Sequence, residues 1–210
     1  MKKSYEQFKT SDVEEFLGLT ITSSTHCVVT DDIQPFKLSE TFKEEFFSKA
    51  KLALAINTEK ARSELIVSSI LFELRKILKE KISFFSGTTF DVDASKGLKG
   101  RCDFLISLDQ EQMILRAPIV ALVEAKNDNI SNGIGQCIAE MYASQIFNAK
   151  KGIEIPTIYG VITTGTNWRF LKLTDKKVCI ENEDIYLESV ELIFGILLDI
   201  IHKSEKFLKK

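Results

Sequence analysis

The segment PIVALVEAK, residues 118–126, limits the possible folds more than any other stretch of the chain. Ile119 to Val123 is apolar at every position, so an extended chain there presents apolar side chains on both faces. A strand with one wet face alternates apolar and polar residues, whereas an uninterrupted apolar run needs helices packed above and below its sheet. The segment therefore predicts the middle strand of a covered sheet. Glu124 and Lys126 follow directly and, being two apart, share one face of the strand.

The surrounding sequence supplies partners for this strand. ISFFSGTTFDVD and RCDFLISL, rich in β-branched and aromatic residues, predict two strands before it. A helix is expected from Ile134 to Lys150, with Ile134, Cys137, Ile138, Met141 and Ile146 on one side, and then an apolar strand in TIYGVITTG. Strand, helix, strand is the order of a right-handed crossover between parallel neighbours. Upstream, SETFKEEFFSKAKLALAI predicts a helix capped by Ser39 or Thr41. A second helix from Thr58 to Lys81 carries Ile66, Ile70, Leu74 and Ile77 at helical spacing with Thr58 as its cap. NWRFLKLT, KVCIEN and DIYLES read as short β segments, and LESVELIFGILLDIIHKS as an amphipathic closing helix. Residues 1–38, interrupted by Pro35, read as an irregular or partly helical N-terminal extension to a domain spanning 39–210.

With 44% hydrophobic and 28% charged residues among 210, the chain can bury one sizeable core. No apolar run reaches a membrane span and the N-terminus lacks the apolar stretch of a secretory signal, so a cytoplasmic location is expected. Cys27, Cys102, Cys137 and Cys179 are scattered without a CxxC pair, which predicts reduced, mostly buried thiols. A net charge of −2 gives no global support for a nucleic-acid partner. Local clusters at Arg75, Lys76, Lys79 and Lys81, and at Lys96, Lys99 and Arg101, offer positive charge of the kind that tracks a phosphate backbone or merely solvates a surface.

Asp103 inside one predicted strand and Glu124 at the end of the next are costly places for carboxylates. A divalent cation offsets that cost with oxygen ligands, here the two carboxylates and the Ala125 carbonyl, and Lys126 is spaced to assist a metal-bound water. RCDFLIS, VEAK and GIGQCIAEMYA, in this order, resemble the core of the PD-(D/E)XK nuclease superfamily over roughly residues 58–175. NWRFLKL adds a hairpin similar to type I restriction N-terminal nuclease domains and their stand-alone relatives. The resemblance implies a restriction-endonuclease-like α/β core, with a central mixed sheet flanked by helices. It implies that Glu64, Asp103, Glu124 and Ala125 hold Mg²⁺, with Mn²⁺ as substitute. It also implies that Lys126 and Gln136 complete a catalytic site that hydrolyses duplex or branched DNA. Cys102 stands where the nominal motif has proline. A homodimer and a helicase or methyltransferase partner are further expectations.

Each residue also has a plainer reading. Glu64 suits the first turns of a helix, Asp103 can pair with Arg101 and Glu124 with Lys126, and Gln136 is an ordinary helix residue. Glu140, one turn on from Gln136 and on the same face, is read as contacting the site or, by preference, as salt-bridging with a neighbour; Asn127, Asp128 and Asn129 read as a turn, and Trp168 as packing the last hairpin. The alternative function is a catalytically silent domain of the same fold that binds nucleic acid or protein, the latter through the apolar closing helix.

Overall fold

The computed structural model describes residues 3–127 and 129–208. Asp128, the middle of the predicted polar turn, and the final lysines of KFLKK lie outside the described residues. The strands are β1 (Thr20–Ser24), β2 (Ser83–Thr89), β3 (Arg101–Ser107), β4 (Ile119–Ala125), β5 (Thr157–Thr163), β6 (Asn167–Thr174), β7 (Lys177–Glu181) and β8 (Ile185–Tyr186). They form one eight-stranded mixed sheet in the order β1-β7-β6-β5-β4-β3-β2, with β8 added to β6. β4 lies near its centre, and all seven of its residues are buried, as the apolar run requires. β2, β3 and β4 are successive antiparallel neighbours, while β4 and β5 are parallel across the helical crossover.

The helices are α1 (Thr10–Leu17), α2 (Glu40–Ile56), α3 (Glu59–Arg62), α4 (Ser68–Ile77), α5 (Ile134–Lys150) and α6 (Val190–Leu208). Ser39, not Thr41, caps α2, its hydroxyl accepting the Phe42 N–H at 3.2 Å. Thr58 caps α3 in the same way through the Ala61 N–H. The helix expected to run on to Lys81 is instead interrupted by a π turn at Ser63–Val67 and stops at Ile77, before Lys79 and Glu80 turn with positive φ. α5 packs on β4 and β5, and Gly160 of β5 makes this approach possible: a Cβ there would lie 2.6 Å from Met141 Sδ and 2.7 Å from Cys137 Sγ. Asn148, near the end of α5, uses its carboxamide as a substitute strand, accepting the Ile119 N–H at 2.8 Å and donating to the Ile119 carbonyl at 2.7 Å. Trp168 is fully buried in the core beneath the last hairpin, so no base can stack on it.

Three expectations need correction. The N-terminal segment is an ordered part of the core: Tyr5, Phe8, Val13, Leu17 and Leu19 are buried, and β1 pairs in parallel with β7. Sequence periodicity missed this because the burial partners lie over 80 residues away, as in the Tyr5 hydroxyl donating to the Phe90 carbonyl at 2.7 Å. Secondly, Cys27 and Cys179 are disulfide-bonded, their Cα atoms 6.1 Å apart across 152 residues, while Cys102 and Cys137 are free and buried. Spacing could not reveal that pair, because only the β1–β7 register, Thr22 beside Cys179, brings them together. Thirdly, the apolar side of α6 is not a free surface: Ile193, Phe194, Ile196, Leu197, Ile200 and Ile201 are all buried. Among the described residues no helix is long and apolar enough to cross a membrane.

The N-terminal segment and α5 meet at Gly135, where a Cβ would fall 2.4 Å from the Phe8 carbonyl oxygen. Backbone cannot yield as a side-chain tip does. Gly135→Ala is therefore expected to destabilise the fold by about 1–3 kcal/mol, measured by urea denaturation, and to raise hydrogen exchange at residues 5–17 before the rest of the sheet. Unchanged exchange in that segment would contradict this account of its docking.

Candidate functional site

The predicted residues divide into a cluster that forms and one that does not. Because β4 ends at Ala125 and α5 begins at Ile134, the carboxyl end of the central strand faces the first turns of the crossover helix. Lys126 Nζ donates to Glu124 Oε1 at 2.6 Å and to Gln136 Oε1 at 3.0 Å. Gln136 Nε2 passes the chain on to Glu140 Oε1 at 3.1 Å. Asp103 enters from β3 and accepts the Ala125 N–H at 2.8 Å, tying the two strands together where the ladder ends. Asp103, Glu124, Lys126 and Gln136 are thus brought together.

Glu64 is not among them. It lies in the π turn with its side chain 63% exposed, facing Lys60 Nζ at 3.8 Å on the surface. The π turn accounts for the difference, since it rotates the helix so that Ile66, Val67, Ile70 and Leu71 take the core side. Ala125 is engaged in the strand pairing with Thr163, and its N–H is taken by Asp103. Glu124 already spends one oxygen on Lys126. Among the described residues, no group of three or more His, Cys, Asp or Glu side chains could hold a metal ion. The expected Mg²⁺ or Mn²⁺ site, and with it the metal-dependent endonuclease activity, is corrected on that ground.

The cluster instead resolves a charge problem internally. Glu124 is 1% exposed and Glu140 fully buried, and Oε2 of each lacks a hydrogen-bond partner. Burial, then the Asp103 charge, pushes the Glu124 carboxyl up to about 8 against the pull of Lys126. Burial, then Glu124, holds Glu140 well above the usual carboxylate range. Asp103 is raised by burial, with the Ala125 N–H opposing. For Lys126 burial disfavours the ammonium, but Glu124 and Asp103 outweigh it, so the lysine stays charged. One cation thus serves three acids, and burial favours the protonated form of both Glu124 and Glu140. Burial also pushes the Cys102 and Cys137 thiols up, which removes them as nucleophiles. Glu140, read from sequence as a surface salt-bridging position, is an integral member; its i, i+4 spacing from Gln136 was the available signal.

Beside this cluster, beyond the carboxyl ends of the parallel pair β4 and β5, lies a groove of about 360 Å³. Its walls are almost wholly polar: Arg62, Asn127, Asn129, Ser131, Thr164, Thr166, Asn167, Arg169 and Asp184. Arg62 Nη1 donates to the Asn127 and Thr164 carbonyls, both at 2.9 Å, and so braces the two strand ends. Asp184 accepts Arg169 Nε at 2.7 Å and Asn167 Nδ2 at 3.2 Å, orienting both side chains on β6. Neither arginine belongs to a basic run, which is why the sequence did not expose them. The first predicted basic cluster is largely neutralised by its own neighbours, Arg75 by Glu80 and Lys76 by Glu73.

A scan against protein-family models gave no match, and a search of curated proteins gave none.

The protonation pattern has a sign that can be tested. Glu140 binds its proton more tightly in the folded chain than in the unfolded one, whose glutamates titrate near 4.5. The resulting stabilisation is complete below that value and is lost as pH rises towards the folded value. Glu140→Gln keeps the acceptor for Gln136 but cannot ionise. Its stability should therefore match the wild type near pH 4.5 and exceed it increasingly as pH rises above that value. Parallel pH profiles in urea denaturation would rule out a protonated Glu140.

Proposed function

We propose that this chain is a non-catalytic binding domain on a restriction-endonuclease-like core, and that its groove takes the phosphate backbone of a nucleic acid. The observation that carries the reading is the groove itself, a concave polar surface with two arginines at the carboxyl ends of adjacent parallel strands. That is where open α/β sheets bind ligands. Guanidinium groups, hydroxyls and carboxamides are the groups that hold phosphate and sugar oxygens without reading sequence. Support for the finer fold assignment comes from the element order, a helix, three antiparallel strands, a crossover helix and a parallel strand, together with the RCDFLIS, VEAK and GIGQC segments that fall on β3, β4 and α5.

In this reading Lys126 and its acids form a structural network that fixes the floor beside the groove, not a hydrolytic centre. Backbone contacts alone give little sequence preference, so a helicase or methyltransferase partner would supply specificity in a larger assembly. Duplex and branched DNA are the substrates to try first.

The test is fluorescence anisotropy with single-stranded, duplex and branched DNA in EDTA, over a salt series. Binding in the micromolar range is expected, weakening with salt. Arg169→Ala is expected to weaken it by about tenfold and to lower the salt slope by about one. DNA incubated with the protein and Mg²⁺ should stay intact. Absence of binding to every nucleic acid at low salt, or equal binding by Arg169→Ala, would reject the groove as the contact surface.

A further inference from the structure

α2 folds back through the short turn at Asn57 and Thr58 to pack on α3 and on the π turn that leads into α4. Between α2 and α4 is a cleft of about 390 Å³ with Phe42 and Phe46 in its lining. Phe72 stands on its α4 wall and is 56% exposed, an unusual degree for a phenylalanine in a folded protein. Leu52 and Ile56, 54% and 50% exposed, extend the same face of α2, since Glu45, Lys49, Leu52 and Ile56 recur at helical spacing. One patch thus carries both an apolar knob and an apolar cleft.

The charges on the patch say what covers it. Each wall bears one acid and one base: Glu45 and Lys49 on α2, 2.5 Å apart, and Glu73 and Lys76 on α4, 2.6 Å apart. Because the chain reverses at Asn57 and Thr58, the sequence order along the two walls places Glu45 towards Lys76 and Lys49 towards Glu73, a checkerboard. In keeping with this, Lys49 and then Lys76 hold the Glu45 carboxyl below its usual range. A two-fold axis lying in the plane of such a checkerboard and parallel to the helices sets every acid against a base of the partner. The same rotation moves Phe72 from its own α4 wall to a position over the partner's α2 and cleft. A heterologous partner has no reason to match this pattern, whereas a second copy matches it by symmetry.

We infer that the α2–α4 face is an isologous homodimer interface, in which Phe72 of each protomer enters the cleft beside Phe42 and Phe46 of the other. Sedimentation equilibrium of the full chain at about 1–200 µM should show a monomer–dimer equilibrium, as an interface with two buried aromatic anchors requires. Phe72→Glu is expected to weaken the dimer by about 100-fold with an unchanged thermal midpoint measured at monomeric concentration. Two charge-reversed variants, Lys49→Glu with Lys76→Glu and Glu45→Lys with Glu73→Lys, should each be monomeric alone and form a heterodimer when mixed. A wild type that stays monomeric throughout the range, a Phe72→Glu that dimerises as well as wild type, or charge variants that fail to pair would each overturn the inference.

Discussion

Glu124 ends the most deeply buried strand with its carboxylate out of water, and the architecture at that end of the sheet is organised around this cost. Lys126 gives it a charged donor, Gln136 holds the lysine from the far side, and Glu140 closes the chain by accepting from Gln136. A buried charge that loses its partner typically costs about 3–5 kcal/mol, so these residues are mutually dependent although none lies in the apolar core. The same arrangement fixes the start of α5 against the end of β4. The distance between those two elements sets the position of the polar groove beside them.

How far this was legible in the sequence depended on whether the signal was local. Ile119 to Val123 announced a covered central strand because burial on both faces leaves a continuous apolar run. Glu124 and Lys126 were found from strand spacing and Asp103 from its place inside a strand, whereas Gln136 was named only through the resemblance of the motif segments. Glu64 failed for a local reason that periodicity cannot see: a π turn inserts one residue and turns the side chain outward, while the apolar positions after it still look helical. Glu140 was undervalued because a charged residue in a helix is normally at the surface. The resemblance in the motif segments therefore led to a metal centre, whereas the side chains form a hydrogen-bonded chain from Glu124 through Lys126 and Gln136 to Glu140.

Arg62 and Arg169 lay outside the reach of sequence reasoning for a different reason. Their significance comes from the β4–β5–β6 order, which brings residues more than 100 positions apart to one groove. Of the basic residues that drew attention, Arg75, Lys76 and Lys96 are instead balanced by Glu80, Glu73 and Asp93. The chain thus separates two surfaces of opposite character, a polar groove at the strand ends and a mixed apolar and charged face on α2 and α4. The closing helix α6, the most apolar in appearance, is consumed by the core.

The pairing of β1 with β7 has a consequence for how the molecule is made. Of the described strands β1 is synthesised first and has no neighbour until residues 177–181 follow, and Tyr5 waits for Phe90 and Lys99. Glu181, at the end of β7, then accepts the backbone N–H groups of His26, Val28 and Val29, closing the loop after β1. During synthesis the N-terminal apolar residues are exposed and unpaired, the condition in which chains are most prone to associate wrongly. The central strands β2 to β5 pair with neighbours nearer in sequence, so the pairing of β1 is the one that the order of synthesis delays most.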